Sequence, residues 1–220
     1  MHTNMNFPAP IAVLGFLAAM GGLVFSIITV AVLFFLHKTK WMRWVGTLVG
    51  AGALVYFGLL FGFSGDSSET TLAPGQEKYF CEIDCHLAYS VRASREELQS
   101  DGRQLHVMLR TRFDETTTSP SRPKDVPLTP NPREVRLIDG QGRTYAPETV
   151  SGTPLTRELI PAHSYETDLV FRVPVDASQL RLLITDPGWE QHLLIGGETS
   201  LGHRKTYLAV TAAESASLQH

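Results

Sequence analysis

The sequence predicts a membrane-anchored, all-β protein in which two transmembrane helices precede an antiparallel β-sandwich. Two long apolar runs without charge lie near the amino terminus, and all 22 acidic residues come at or after Asp66. Beyond that point, apolar and polar residues alternate with a period of two, which is typical of half-buried strands. Of the 220 residues, 43% are hydrophobic, which excludes a wholly disordered or collagen-like chain.

Each of the two apolar runs is long enough to cross a bilayer. The first, Ile11–Leu36, has 26 uncharged residues, and the second, Trp44–Phe63, has 20. At about 1.5 Å of rise per residue, either run spans a hydrocarbon core of roughly 30 Å. We therefore predict a transmembrane helical hairpin over residues 11–63.

The segment between the runs, residues 37–43, sets the predicted orientation. It contains three fixed positive charges, and two tryptophans lie in or beside it. Short basic loops stay on the cytoplasmic side, and tryptophan prefers the headgroup region. We therefore predict a protein of the bacterial inner membrane, with residues 1–10, the β-domain and both termini in the periplasm. A cleaved signal peptide is disfavoured, because residues 1–10 contain no Lys or Arg and the first run is too long.

Four glycines in the second run predict a smooth helix face. Gly46 and Gly50, and then Gly58 and Gly62, are spaced by four residues, which lets two helix backbones approach closely. In one hypothesis the two helices of the hairpin pack on each other through these glycines. In the other, a glycine face is left for a helix of a partner subunit, and both hypotheses can hold together.

The rest of the chain has the size and charge of one exported domain. We assign residues 64–76 to a linker, 77–211 to a periplasmic β-sandwich and 212–220 to a carboxyl-terminal tail. The whole chain has a net charge of −3 and the basic loop contributes +3, so the part from Ser64 onward has a net charge of −6. An acidic domain disfavours nucleic acid as a partner. The expected partners are other membrane protein subunits and the lipid bilayer.

Eight segments show strand patterns, which fits a two-sheet sandwich. The longest alternations cover 87–93, 105–113 and 165–173, and Asp139–Gly142 has the glycines of a hairpin turn. Thr116–Pro132 contains five prolines, which remove backbone donors, so we expect no regular element there. The shorter candidate strands are Lys78–Ile83, Arg133–Ile138, Arg143–Ala146, Leu180–Thr185 and Lys205–Val210.

Three stretches resemble bacterial exported immunoglobulin-like domains of the telokin-like type. Arg133–Tyr145 contains Asp-x-x-Gly-x-x-Tyr, Leu159–Tyr165 contains Leu-x-Pro, and Leu169–Asp176 contains Val-Phe-x-Val-Pro. The resemblance covers roughly residues 77–210. It implies an immunoglobulin-like sandwich that acts as a binding or accessory module, and it implies no catalytic residue.

Both cysteines lie in one short motif, Cys81-Glu-Ile-Asp-Cys85-His86. An exported compartment allows a disulfide between Cys81 and Cys85. Residues four apart in a straight strand are about 13 Å from each other, well beyond the reach of a disulfide. A disulfide therefore predicts a tight turn or bulge at Glu82–Asp84. Two inert reduced thiols are the plainest alternative.

Covalent haem is a second alternative for this motif. Haem attachment commonly uses Cys-x-x-Cys-His, which is one residue shorter than the spacing from Cys81 through Cys85 to His86. His86 would be the proximal ligand, and His106 or Met108 the distal one.

Copper is a third alternative. Two helices followed by an exported β-domain resemble subunit II of cytochrome oxidase, whose copper pair is held in a C-x-E-x-C-x-x-x-H-x-x-M loop. Ile83, Tyr89 and Arg92 stand where that loop has its Glu, His and Met, so the similarity is one of topology only. A simpler metal site of two thiolates and His86 stays open. We favour neither a bound cofactor nor a bound metal.

The chain shows no arrangement typical of an active site. It has no Gly-x-Ser-x-Gly turn, and Leu194–Thr199 lacks the lysine of a phosphate-binding loop. We predict that the protein is not an enzyme. The scattered histidines, which we interpret as strand or surface residues, are His106, His163, His192 and His203.

Together these features favour a non-catalytic accessory subunit of a larger membrane protein complex. An electron-transfer assembly, such as a photosynthetic reaction centre with its antenna or a respiratory complex, fits this topology. The hairpin and the sandwich would brace neighbouring subunits. The alternatives are a redox carrier based on Cys81, Cys85 and His86, and a free-standing envelope module that binds or senses a ligand.

Overall fold

The chain folds into two compact units, one helical and one all-β. The helical unit contains residues 5–67 and 189–204, and the β-unit contains residues 1–4 and the described residues of 68–188 and 205–210. The predicted order, an apolar helical pair followed by a β-sandwich, is confirmed. The computed structural model describes residues 1–81, 85–99, 102–117, 123 and 125–210.

The helical unit is built on two helices of 27 residues, α1 (Ala9–Phe35) and α2 (Thr39–Gly65). Pro10 lies in the first turn of α1, where a missing N–H costs no helical hydrogen bond. The connection is short, and its His37 has a φ of 54°. Because Thr39–Arg43 are helical, most of the predicted basic loop belongs to the first turns of α2.

Both helices are long and apolar enough to cross a membrane. Their large side chains point outward over most of their length, and Leu54 is 78% exposed. A helix that is apolar on all sides needs apolar surroundings, such as lipid or other helices. The surfaces of α1 and α2 are therefore compatible with membrane anchoring.

The β-unit consists of two sheets. In spatial order, the first sheet contains β1 (His2–Thr3), β3 (Lys78–Phe80), β4 (Leu87–Gln99), β5 (Gly102–Phe113), β9 (Ser164–Val173) and β8 (Thr149–Gly152). The second sheet contains β2 (Thr70–Leu72), β11 (Thr206–Ala209), β10 (Arg181–Thr185), β6 (Glu134–Ile138) and β7 (Thr144–Tyr145).

The two sheets are mixed rather than wholly antiparallel, which corrects one detail of the predicted sandwich. β1 pairs with β3 in parallel, and β2 pairs with β11 in parallel. Both added strands come from segments in which no strand was predicted, the amino-terminal ten residues and the linker. A strand of two or three residues is too short to show alternation, so its pattern is invisible in the sequence.

The core lies between the two sheets and is formed by every second residue of the long strands. Leu105, Val107 and Leu109 of β5 are at most 2% exposed. They pack in one cluster with Phe171 of β9 and with apolar residues of β6 and β10. Burial of each such side chain contributes about 1.5–3 kcal/mol to folding. The period-two pattern therefore identified the core face correctly.

The turn at Asp139–Gly142 joins β6 to β7 as predicted. The N–H of Asp139 donates to the carbonyl of Arg143 at 3.1 Å, and Gly142 has a φ of 80°. Thr116–Pro132 falls partly outside the described residues. Within its described part, a 3₁₀ turn ends at Thr117, and Leu128 forms an isolated bridge with Leu159. The predicted tail at 212–220 lies outside the described residues.

Candidate functional site

Cys81 and Cys85 are joined by a disulfide, with their Cα atoms 4.0 Å apart. Cys81 directly follows β3, and Cys85 stands shortly before β4, so the disulfide closes the connection between two paired strands. Because the two sulfur atoms are bonded to each other, neither is a thiolate ligand in this state. The bend predicted at Glu82–Asp84 lies outside the described residues.

The amino terminus joins the first sheet beside this disulfide. His2 and Thr3 lie in register with Lys78 and Tyr79 of β3. The side-chain oxygen of the buried Asn4 accepts a hydrogen bond from the N–H of Cys81 at 2.8 Å. The main-chain N–H of Asn4 donates to the carbonyl of Tyr79 at 2.9 Å. Residues that precede α1 are therefore part of the same sheet as residues that follow α2.

His86 is not placed with the proposed distal haem ligands. Its ring is buried and packs on Phe113, with ring centroids 4.9 Å apart. Met108 and His106 lie five and seven residues before Phe113 on β5, which corresponds to about 17 and 24 Å along a strand. The structure therefore does not bring together the ligand set of the haem alternative.

A polar cluster that the sequence did not reveal lies on the outer face of the first sheet. Tyr79, Ala88 and Arg112 share one row across β3, β4 and β5. Because Ala88 is small, the Arg112 guanidinium reaches the Tyr79 hydroxyl over it, at 2.8 Å. Arg112 also binds Glu77 through two hydrogen bonds of 2.6 and 2.7 Å and Asp114 at 2.9 Å.

The protonation states of this cluster are fixed at neutral pH. Desolvation raises the pKa of Asp114, but hydrogen bonds from Tyr79, Thr116 and Arg112 outweigh it and hold that pKa well below its usual range. Burial and the neighbouring carboxylates raise the pKa of Tyr79 far above its ordinary value. A general acid or base works best with a pKa near the working pH. The cluster is therefore suited to joining strands rather than to proton transfer.

A second cluster of charges lies on the inner side of the sheet. Lys78 is 0% exposed, and its Nζ donates to the main-chain carbonyls of Ile184 and Thr206, both at 2.9 Å. The Arg133 guanidinium lies 4.4 Å from the ring centre of Phe80 and forms an ion pair with Asp186. These cations link strands of the first sheet to strands of the second.

The histidines interpreted as strand or surface residues contact local partners. His106 Nδ1 lies 3.3 Å from a carboxylate oxygen of Asp168 on the adjacent strand. In His163, His192 and His203, Nδ1 lies within 3.0 Å of a nearby main-chain carbonyl oxygen. Across the described part of the chain, no three His, Cys, Asp or Glu side chains form a group that could hold a metal ion.

The hairpin presents two features suited to a partner. A Cβ added at Gly46, Gly50, Gly58 or Gly62 would meet no atom of another element within 4 Å, so α1 does not occupy the space beside these glycines. In addition, α1 and α2 enclose an apolar groove of about 470 Å³, lined by residues that include Phe16, Leu23, Val49, Gly52 and Leu193.

Comparison with known proteins gives no family. No protein-family model and no curated protein matches the chain. One solved structure with a similar arrangement is that of MPT63, a secreted protein from Mycobacterium tuberculosis, which is 10% identical with a TM-score of 0.36. The similarity covers 56% of this chain and 93% of that protein.

Proposed function

We propose that the protein is a membrane-anchored, non-catalytic accessory subunit of a larger membrane protein complex. In this proposal α1 and α2 both span the inner membrane, and the β-unit lies in the periplasm. The hairpin binds helices of neighbouring subunits, and the β-sandwich braces their exported parts.

The pairing of β1 with β3 is the observation that supports this topology most strongly. β1 precedes both helices and β3 follows both, yet they are neighbours in one sheet. A chain that crosses a membrane between two paired strands must cross it an even number of times. Two crossings satisfy this condition. A single anchor would leave β1 and β3 on opposite sides of the membrane, and cleavage of the first helix would remove β1.

Charge supports the orientation. Lys38, Lys40 and Arg43 lie at the turn between the helices, and no acidic residue precedes Asp66. Basic residues at a short loop favour the cytoplasmic side. The β-unit, with its disulfide, then lies on the oxidising side of the membrane, where disulfides persist.

The open glycine pairs support a partner in the membrane. Association of helices in lipid depends on close packing at small residues, since lipid and side chains are equally apolar. Gly46/Gly50 and Gly58/Gly62 offer such faces, and α1 fills neither of them. A transmembrane helix of another subunit is the occupant that this surface fits.

Gentle detergent extraction of native membranes, followed by size separation with absorbance recorded in the visible range, tests the proposal. We expect the chain to migrate within a large complex, and visible absorbance of that complex would identify an electron-transfer assembly. The variant Gly50→Leu/Gly58→Leu should leave the complex yet stay in the membrane. Val24→Phe, at an exposed position of α1 that does not line the groove, is the control and should remain bound. Migration of the unaltered chain as a small species would contradict the proposal.

A further inference from the structure

The segment Trp189–Arg204 belongs to the helical unit, although it follows α2 by more than a hundred residues. The Tyr56 hydroxyl of α2 donates to the Leu193 carbonyl at 2.7 Å. Near the start of α1, the N–H of Asn6 donates to the carbonyl of Gly196 at 2.9 Å. The segment is thus attached to the hairpin at two levels.

The two attachment points differ in depth along the hairpin. Asn6 also binds the carbonyl of Phe63 at 2.8 Å, which places Gly196 at the end of the apolar run of α2. Tyr56 lies seven residues earlier on α2, about 10 Å further along the helix axis. The chain near Leu193 therefore reaches past the end of the apolar run toward the middle of the hairpin.

The chemistry of the segment suits that depth. A main-chain carbonyl in apolar surroundings must be hydrogen-bonded, and Tyr56 provides the donor for Leu193. Leu194 and Ile195 are buried, whereas the Trp189 side chain is 65% exposed. The indole ring is apolar with one N–H donor, and tryptophan prefers the headgroup level of a bilayer.

We propose that Trp189–Ile195 is an interfacial element that enters the outer part of the hydrocarbon core near Leu193, with the Trp189 ring in contact with lipid at the outer headgroup level. This inference rests on the proposed function, because it requires that the hairpin span the membrane. The occupant is lipid because the segment is continuous with the apolar surface of the hairpin and reaches below its outer end. The fixed charge of Trp189–Ile195 is that of Glu190, and the element has no Lys or Arg, so zwitterionic lipid is sufficient.

Fluorescence quenching by brominated lipid tests the inference in the full-length chain. The chain has three tryptophans, so Trp41→Phe/Trp44→Phe leaves Trp189 as the single emitter. The matched variant Trp189→Phe leaves the two tryptophans near the turn of the hairpin. Both variants are reconstituted in phosphatidylcholine vesicles, with bromines placed either near the headgroup or near the end of the acyl chain.

We expect both variants to lose fluorescence in brominated vesicles relative to unbrominated ones. For Trp189 the loss should be larger with bromines near the headgroup, and its emission should be shifted to the blue of tryptophan in water. If Trp189→Phe is quenched but Trp41→Phe/Trp44→Phe is not, the hairpin lies in the membrane and the inference is overturned. Quenching of neither variant would overturn the spanning hairpin as well. Stronger quenching of Trp189 by deep bromines would contradict the headgroup position.

Discussion

Lys78 shows how one residue can determine the arrangement of a sandwich. It is a charged side chain at a position that alternation assigns to the core, next to Phe80 on the same face of β3. Its Nζ donates to carbonyls of β10 and β11 in the other sheet. A buried charge is tolerated only when it is hydrogen-bonded, and here that requirement fixes one sheet against the other.

Lys78→Met should destabilise the β-unit by about 1–3 kcal/mol, because the change preserves volume but removes the donor from two main-chain carbonyls. Arg95→Met, at an exposed position of β4, is the control and should change little. Pulse proteolysis of the full chain in mild detergent across a urea series measures the difference. Equal urea midpoints for the two variants would show that the buried hydrogen bonds are not needed.

Because of Asp139, the stability contributed by the turn between β6 and β7 depends on pH in the acid range. Burial raises its pKa, but hydrogen bonds from Arg143, Tyr145 and the N–H of Gln141 outweigh this effect and lower the pKa from 3.8 to about 2. A depressed carboxyl pKa stabilises the fold above the unfolded value, and the stabilisation disappears as pH falls through the folded value. We therefore expect a loss of stability between pH 3.8 and pH 2.

Asp139→Asn should lower the urea midpoint at neutral pH and flatten its dependence over that acid range. Asp176→Asn is the matched control, because Asp176 contacts the same Arg143 at 2.9 Å but is exposed. This control should keep the acid dependence of the unaltered chain. If Asp139→Asn leaves the pH dependence of the urea midpoint unchanged, the acid sensitivity comes from other carboxylates.

The sequence alone indicated which individual residues are polar, but not which of these side chains contact one another. Arg112 and Tyr79 are more than thirty positions apart, and only the pairing of β3, β4 and β5 places them in one row. Cys81 and Cys85 are the exception, since their separation is short enough for geometry to restrict their options. Contacts between residues distant in sequence depend on strand register, which a single sequence does not specify.

At the scale of elements, the disulfide closes a short connection between two paired strands. Closing a loop of this length stabilises a fold by about 2 kcal/mol through the entropy of the unfolded chain. Cys81→Ser/Cys85→Ser should therefore lower the stability of the β-unit by about this amount.

Alkylation and mass measurement give the direct check of the disulfide. The denatured, unreduced chain should gain no alkyl group, and the reduced chain should gain two, one for each cysteine. An alkylated unreduced chain would show free thiols. A covalent mass that reduction does not release would instead favour haem attachment.

Prediction of elements succeeded where they are long. The apolar runs indicated both helices, and alternation indicated β4, β5 and β9, since each contains enough residues to show its period. The start of α2 was missed because Lys40 and Arg43 interrupt the apolar pattern of Thr39–Arg43, which is nevertheless helical. β1, β2 and β8 were missed because each contains at most one large apolar residue. The equally short β3 and β11 each contain two such residues, and the turn before β7 identified that strand.

For the whole molecule, we propose that two crossings place the amino terminus and the β-unit together outside the cytoplasm. The parallel pairing of β1 with β3 and the basic turn between α1 and α2 support it independently. The strand pairing requires an even number of crossings, and the basic turn favours their direction. Both follow from residues outside the apolar spans.

Labelling of single introduced cysteines with a membrane-impermeant maleimide on intact spheroplasts tests this membrane topology. The native cysteines are paired, so His2→Cys, Thr39→Cys and Thr149→Cys each provide one reactive thiol at an exposed position. We predict labelling at positions 2 and 149 in intact spheroplasts, and at position 39 only after the spheroplasts are permeabilised. Labelling of positions 2 and 149 from opposite sides of the membrane would contradict this topology. Labelling of position 39 in intact spheroplasts would contradict it as well.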